Sequence, residues 1–286
     1  MAESNWRQGD SPTGVADYGY GTDRPAQADI PPQPAPSRTG RGGLAAGAIA
    51  LFGLLLKVPS IGVTIVSTLL SAVVYAQIFG WWSFAIGFVL LILVHETGHL
   101  IAARMLGIGA SFPIMLPGLG ALVNMKRPRT VAEEAQTAIA GPILGTAASA
   151  ACYLGAVSIS DSYWAGLLGG LAYFGFIINL FNLVPVTPLD GGRVMSAVSK
   201  WFNVVGLAVA AGLLVLTQFR SFVLILIVLV GALSTWQRFR STASDPSYYQ
   251  VPAFTKLLVG GVYLVLLLGL ALGADFTQSL LPARVG

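Results

Sequence analysis

The sequence predicts an all-α polytopic membrane protein with about seven transmembrane helices and a short β-hairpin that dips into the membrane after the second helix. Composition is the first reason: 55% of the 286 residues are hydrophobic, 10% are charged, and the mean hydropathy is +0.75. The second reason is that apolar runs long enough to cross a hydrocarbon core of about 30 Å recur along the chain. The predicted spans are 61–79, 82–104, 134–157, 164–186, 204–218, 221–237 and 254–273.

The first 42 residues differ in composition from the rest of the chain. They are rich in Pro, Gly, Ser, Asp and Gln and show no apolar periodicity. Such a segment cannot bury enough apolar surface to fold, so residues 1–42 are predicted to be a disordered tail and residues 43–286 one membrane-embedded domain. The apolar stretch 44–56 is short for a span and is followed by Lys57 and Pro59, which favours an interfacial or partly inserted helix.

The basic residues lie in short loops beside the apolar runs, so the net charge of +4 indicates membrane topology and not a nucleic-acid surface. If the N-terminal tail is cytoplasmic, seven spans put Arg220 and Arg284 on the opposite side. The cytoplasmic side then carries Lys57, Arg104, Lys126, Arg127, Arg129, Arg193, Lys200, Arg238, Arg240 and Lys256. This positive-inside bias predicts a cytoplasmic tail, whereas a full span at 44–56 would reverse the bias.

The hairpin is predicted between the second and third spans. Two short apolar stretches flank Pro117-Gly118-Leu-Gly120 within residues 111–126. This pattern is typical of two strands joined by a tight turn, and an ordinary cytoplasmic loop is the alternative.

The start of the third span carries a capping-box pattern, Thr130-Val-Ala-Glu133, which predicts structural roles for Glu133 and for its neighbour Glu134. Further along the same span, Gly141-Pro142 predicts a kink and close packing beside the second span.

The second span carries His95-Glu96-Thr-Gly-His99. Histidines four residues apart lie on one helix face, so both imidazoles can reach one Zn²⁺, and Glu96 between them can serve as general base. These are the only histidines in the chain, and they lie inside an apolar helix where unpaired polar groups are costly. Two ordinary histidines on a helix surface are therefore a poor alternative.

A catalytic zinc needs a third protein ligand and an open position. Asp190 is the candidate, because it lies at the same membrane depth as the histidines. It follows a span that Pro185 and Pro188 interrupt. The alternative is an ordinary aspartate in a turn. Asn179 and Asn182 share a helix face as the chain approaches this point. Asn182 is the better candidate for stabilising an oxyanion, and hydrogen bonding between helices is the alternative for both amides.

The two motifs resemble those of the site-2 protease family of intramembrane zinc metalloproteases. His95-Glu-Thr-Gly-His99 matches the HExxH motif of this family, and Asn182-Leu-Val-Pro185 followed by Asp190-Gly191 matches its Asn-x-x-Pro…Asp-Gly motif. Ala140-Gly-Pro142 also resembles an element that the family carries between them.

The resemblance extends over roughly residues 82–193 and implies zinc bound by His95, His99 and Asp190, with Glu96 catalytic. The loops 111–130 and 187–203 are too short for the PDZ or CBS domains of many relatives, so a compact form is expected.

The family also implies single-span membrane proteins in the lipid bilayer as substrates and a role in regulated intramembrane proteolysis. A bacterial-type plasma membrane is expected from the resemblance, the charge bias and an N-terminus without signal-peptide features. The oligomeric state cannot be deduced from this pattern.

Two other functions use the same residues. A metal or proton-coupled transporter could employ the His, Glu and Asp side chains, since ionisable groups inside membranes also mark ion paths. A non-cleaving scaffold that binds helices is the other, but the complete set of ligands and Glu96 argues against it. Replacing Glu96 by Gln separates a protease from a scaffold, because a protease should keep its zinc and lose cleavage whereas scaffold binding should survive unchanged.

Overall fold

The computed structural model describes residues 60–118 and 120–278. Within these residues the chain forms eight α-helices, a 3-10 helix and a two-stranded antiparallel sheet. In chain order the elements are α1 (Ser60–Phe79), α2 (Trp82–Met105), β1 (Ile114–Leu116), β2 (Gly120–Leu122), α3 (Val131–Ser158), α4 (Ser162–Asn182), α5 (Asp190–Ser196), α6 (Trp201–Leu216), α7 (Phe222–Ser244), the 3-10 helix (Pro246–Tyr249) and α8 (Ala253–Gln278).

Six of the described helices, α1, α2, α3, α4, α7 and α8, are long and apolar enough to cross a membrane. The predicted fold class, a helical polytopic membrane protein with a hairpin after its second span, is confirmed. The fifth predicted span, 204–218, corresponds to α6, an apolar helix of 16 residues that is shorter than a typical span. The predicted tail over residues 1–42 and the apolar stretch 44–56 lie outside the described residues.

The cap of α3 differs in one respect from the predicted capping box. Thr130 Oγ1 accepts a hydrogen bond from the N–H of Glu133 at 3.2 Å, as the pattern predicts. The Glu133 carboxylate, however, accepts from the N–H of Arg129 at 2.8 Å, one residue earlier than a capping box requires. The Arg129 guanidinium also pairs with this carboxylate at 2.7 Å.

The predicted hairpin consists of β1 and β2, with Met115 opposite Ala121. Gly118 in the turn has a φ of +78°, a conformation that glycine adopts without steric cost. Ser67 of α1 holds the hairpin, because its hydroxyl accepts a hydrogen bond from the N–H of Met115 at 3.1 Å. The Met115 side chain is 1% exposed and belongs to the apolar core between α1, α2 and α4.

The helix α3 has the largest set of neighbours, since it packs against α2, α4, α5 and α8. The helices α2 and α3 approach each other closely at Gly98, where a Cβ atom would overlap the carbonyl group of Ala140. A second apolar core lies between α3, α4, α5 and α8 and includes Phe176 and Leu270. In contrast, α7 packs chiefly against α6 and the 3-10 helix.

Candidate metal centre

Two histidines and one aspartate meet between α2 and α5. His95 and His99 lie one turn apart on α2, and Asp190 is the first residue of α5. The two histidine Nε2 atoms are 3.1 Å apart, and Asp190 Oδ2 is 3.1 Å from that of His95 and 3.2 Å from that of His99. All three residues are buried. Their donor atoms therefore form a nearly equilateral triangle that could hold a metal ion. We call this set the donor triangle.

A tight loop between α4 and α5 delivers Asp190 to this position. Pro185 and Pro188 cannot continue a regular helix, and α4 ends at Asn182, short of the predicted end at 186. The chain then turns back on itself so closely that a Cβ atom on Gly191 would overlap the carbonyl group of Leu183. The prolines thus end one helix, and a glycine allows the next helix to begin beside it.

Asn179 orients the His95 ring. Its Nδ2 donates to the carbonyl oxygen of Gly175 at 2.8 Å, so its Oδ1 is the acceptor that lies 2.7 Å from His95 Nδ1. The neutral imidazole therefore carries its proton on Nδ1, and Nε2 offers its lone pair to the donor triangle. Partners of this kind fix the tautomer and orientation of a metal-binding histidine.

The backbone of α3 orients His99 in the same way. His99 Nδ1 lies 2.8 Å from the carbonyl oxygen of Thr137. A carbonyl oxygen only accepts hydrogen bonds, so Nδ1 carries the proton and Nε2 is free to bind a metal. Both histidines thus present the same nitrogen to the donor triangle.

Two glycines of α3 allow its backbone to lie directly against these side chains. A Cβ atom on Gly141 would overlap the His99 imidazole and lie 2.9 Å from His95 Nε2. A Cβ atom on Gly145 would overlap the amide of Asn179. The close packing predicted at Gly141 therefore occurs at the donor triangle itself.

A cavity of about 350 Å³ opens beside the donor triangle. Glu96 lies on its wall and is 9% exposed. The rest of the wall is mainly apolar and includes Tyr75, Phe88, Ile92, Ala121, Ile178 and Leu226, from α1, α2, β2, α4 and α7. A carboxylate in this position can exchange a proton with a group bound in the cavity.

The two asparagines of α4 have different surroundings. Asn179 is buried and committed to His95, a role that the sequence did not indicate. Asn182, one turn further along, is only partly buried and lines the cavity. Within residues 60–118 and 120–278, no group forms a hydrogen bond with the side-chain amide of Asn182. The Asn182 amide is therefore available to a ligand in the cavity.

Two residues that the sequence does not indicate as part of the site lie behind Asp190. Arg193 Nη1 is 3.5 Å from Asp190 Oδ1, the oxygen that faces away from the histidines. Arg193 Nε is in turn 3.6 Å from Glu134 Oε1 on α3. The sequence pattern indicated a topology signal for Arg193 and a helix-start role for Glu134. A polar residue in the first turn of an apolar helix gives no sign of such a partner.

The fold and the site together define an integral membrane protein with a buried candidate metal centre beside an apolar cavity. A family model described as Peptidase family M50 matches residues 83–163. This is the site-2 protease family, so the resemblance to that family is confirmed over the segment that carries the HExxH motif, and the match supports an intramembrane protease. The matched segment contains His95, Glu96 and His99, whereas Asn182 and Asp190 lie beyond its end. A search of curated proteins finds no match.

Proposed function

We propose that the protein is a zinc metalloprotease that hydrolyses peptide bonds of transmembrane substrates, with His95, His99 and Asp190 as zinc ligands and Glu96 as the catalytic base. The observation that carries this proposal is the donor triangle, with edges of 3.1–3.2 Å, beside a cavity on whose wall Glu96 lies.

The donor triangle fits the requirements of zinc. Tetrahedral zinc with bonds of about 2.0–2.1 Å separates its ligand atoms by about 3.3 Å, close to the observed edges. Two imidazole nitrogens and one carboxylate oxygen are among the usual donors of catalytic zinc, and three protein ligands leave one position open. When bound, zinc would supply Lewis-acid polarisation of the scissile carbonyl group and of the attacking water.

The protein's own residues would move the protons and stabilise charge. Glu96 would take a proton from the attacking water and later give it to the leaving amine. Asn182 would donate a hydrogen bond from its amide to the oxyanion that develops on the scissile carbonyl. Asn179 and the Thr137 carbonyl would keep both imidazoles in the tautomer that binds the metal.

The surroundings of the site suit a substrate that enters from lipid and unwinds. The turn residue Gly118 and the β2 residues Gly120 and Ala121 line the same cavity as Glu96. An extended peptide could add to the free edge of the hairpin, which would expose the scissile bond that an intact helix hides. The apolar wall would accept aliphatic or aromatic side chains of a single-span membrane protein. Regulated intramembrane proteolysis is the corresponding biological role.

We further propose that the N-terminal tail is cytoplasmic and that the protein resides in a bacterial-type plasma membrane. The distribution of Lys and Arg among the loops supports this orientation. Residues 1–42 would then precede the membrane domain 43–286 on the cytoplasmic side. A metal or proton-coupled transporter, the other function considered for the same cluster, is not favoured by the match to a peptidase family.

The test compares zinc content and cleavage of a generic single-span substrate by full-length protein in detergent. Wild type should hold about one zinc per chain, as expected for a site with one donor triangle. Glu96→Gln should keep the zinc and lose cleavage, and Asp190→Ala should lose both. Undiminished cleavage by Glu96→Gln would refute the proposed mechanism, and stable zinc without cleavage of any substrate would favour transport or scaffolding.

A further inference from the structure

A network of ion pairs connects Asp190 of the donor triangle to Arg238, near the C-terminal end of α7. Its central residue is Glu134 of α3, whose side chain is 13% exposed. Glu134 Oε1 lies 2.6 Å from Arg238 Nη2, and Oε2 lies 3.2 Å from Arg238 Nη1, a bidentate pair. The Tyr248 hydroxyl donates a third hydrogen bond to Oε2 at 3.0 Å. Burial and the Glu134 carboxylate raise the pKa of Tyr248, so this hydroxyl stays protonated and remains a donor at neutral pH.

Arg193 connects this network to the candidate metal ligand. Its guanidinium lies between two carboxylates, with Nε 3.6 Å from Glu134 and Nη1 3.5 Å from Asp190. The two oxygens of Asp190 therefore have separate partners, because Oδ2 faces the histidines while Oδ1 faces Arg193. This arrangement favours one orientation of the Asp190 carboxylate.

The position of Arg193 matters because a guanidinium can strengthen or weaken a neighbouring metal ligand. Drawn closer to Asp190, its charge would withdraw electron density from the carboxylate and repel a metal cation. Glu134 offsets this charge from the other side, and Arg238 and Tyr248 hold Glu134 in place with three hydrogen bonds. Without the Glu134 charge, Arg193, whose side chain is 21% exposed, would keep Asp190 as its sole partner among the described carboxylates.

From this geometry we propose that Glu134, held by Arg238, is a positioning residue that sets the metal affinity of Asp190 through Arg193. The proposal rests on the proposed function, since it requires a metal at the donor triangle. It assigns to α3 and α7 a part in metal binding although neither helix supplies a ligand. The competing explanation is that the Glu134–Arg238 pair only ties α7 to α3.

The experiment measures Zn²⁺ affinity by chelator competition in full-length protein, for wild type, Glu134→Gln and Glu133→Gln. Glu133 is the matched control, because it is the neighbouring residue on α3 and pairs with Arg129, away from Arg193. Glu134→Gln is nearly isosteric; it removes the charge and replaces one acceptor oxygen by an NH₂ donor, as Glu133→Gln also does. We expect its zinc affinity to fall by about 10- to 100-fold, the usual effect of losing a group that supports a metal ligand. Glu133→Gln should bind zinc as wild type does.

Two further readouts separate positioning from stability. The absorption spectrum of the Co²⁺-substituted protein reports ligand geometry, and it should change in Glu134→Gln and not in Glu133→Gln. The thermal midpoint of the metal-free protein reports stability alone. If Glu134→Gln fails to fold, Arg238→Lys serves instead, because it keeps the charge, loses the bidentate contact and should also weaken zinc binding.

A lowered midpoint with unchanged zinc affinity and an unchanged Co²⁺ spectrum would overturn the proposal, because the pair would then only join the helices. Equal losses of affinity in Glu134→Gln and Glu133→Gln would overturn it as well. A wild-type protein that binds no zinc would overturn the proposed function and this inference together. Normal zinc binding by wild type with no effect of Glu134→Gln would overturn the inference alone.

Discussion

Replacing Gly141 by Ala tests whether the backbone of α3 sets the positions of the two histidines. The added Cβ atom would overlap the imidazole of His99 and lie 2.9 Å from Nε2 of His95, whereas a relaxed contact needs about 3.5 Å. Either α3 must move away or the rings must turn, and both changes distort the donor triangle. Overpacking of this kind costs about 1–3 kcal/mol. If the metal-bound form bears that strain, zinc affinity falls by about 5- to 150-fold.

The assay is chelator competition with Zn²⁺ on purified full-length protein, with Gly166→Ala as the matched control. Gly166 lies within α4, and a Cβ atom there would meet no heavy atom within 4 Å. The control should therefore bind zinc as wild type does. Equal zinc affinity in wild type and Gly141→Ala would refute the argument that α3 lies in contact with the rings. Similar losses in both variants would refute it too, since general helix packing would then explain the effect.

Three further predictions concern the groups around the cavity. Asn179→Leu removes the acceptor of His95 Nδ1 and should lower zinc affinity by about 10- to 100-fold, whereas Asn179→Asp should retain most of it; chelator competition compares the two. Asn182→Ala should lower kcat by about 10²- to 10³-fold at unchanged zinc content, and a normal kcat would exclude Asn182 from the reaction. Chelation should lower the thermal midpoint, and added Zn²⁺ should restore it. At a thousandfold excess of Zn²⁺ over Kd, the free energy of unfolding should rise by about 4 kcal/mol. Asp190→Ala should show no such recovery.

The membrane helices could be predicted from hydropathy because lipid leaves the backbone few alternatives to a helix. The short helix α5 could not. It contains Gly191 and Gly192 and lies in the segment 187–203, which the sequence pattern indicates as a loop. The side chain of Asn203 holds it, since Nδ2 donates to the carbonyl oxygen of Gly192 at 3.1 Å and to Ser196 Oγ at 2.8 Å. Such a contact depends on tertiary packing and has no local sequence pattern.

The site was predictable where helix geometry alone decides the arrangement. The spacing of His95 and His99 places both on one face of α2, as the structure shows. The same periodicity put Asn179 and Asn182 on one face of α4, but it could not tell which amide meets an imidazole and which lines the cavity. The local pattern indicates only a helix-start role for Glu134, because its partner Arg238 is 104 residues away in the chain.

The matched segment 83–163 contains the helix that supports all three donors, although the Asp190 motif lies outside it. This segment contains nearly all of α2 and the whole of α3. α3 supplies none of the three donor atoms, yet the Thr137 carbonyl accepts from one imidazole and Gly141 lies against both. Gly145 makes room for the amide that orients the other histidine, and Glu134 reaches the third donor through an arginine. Since each donor is contacted or supported from α3, a rigid displacement of this helix should disturb all three together, whereas a change in the α4–α5 loop should disturb only the aspartate.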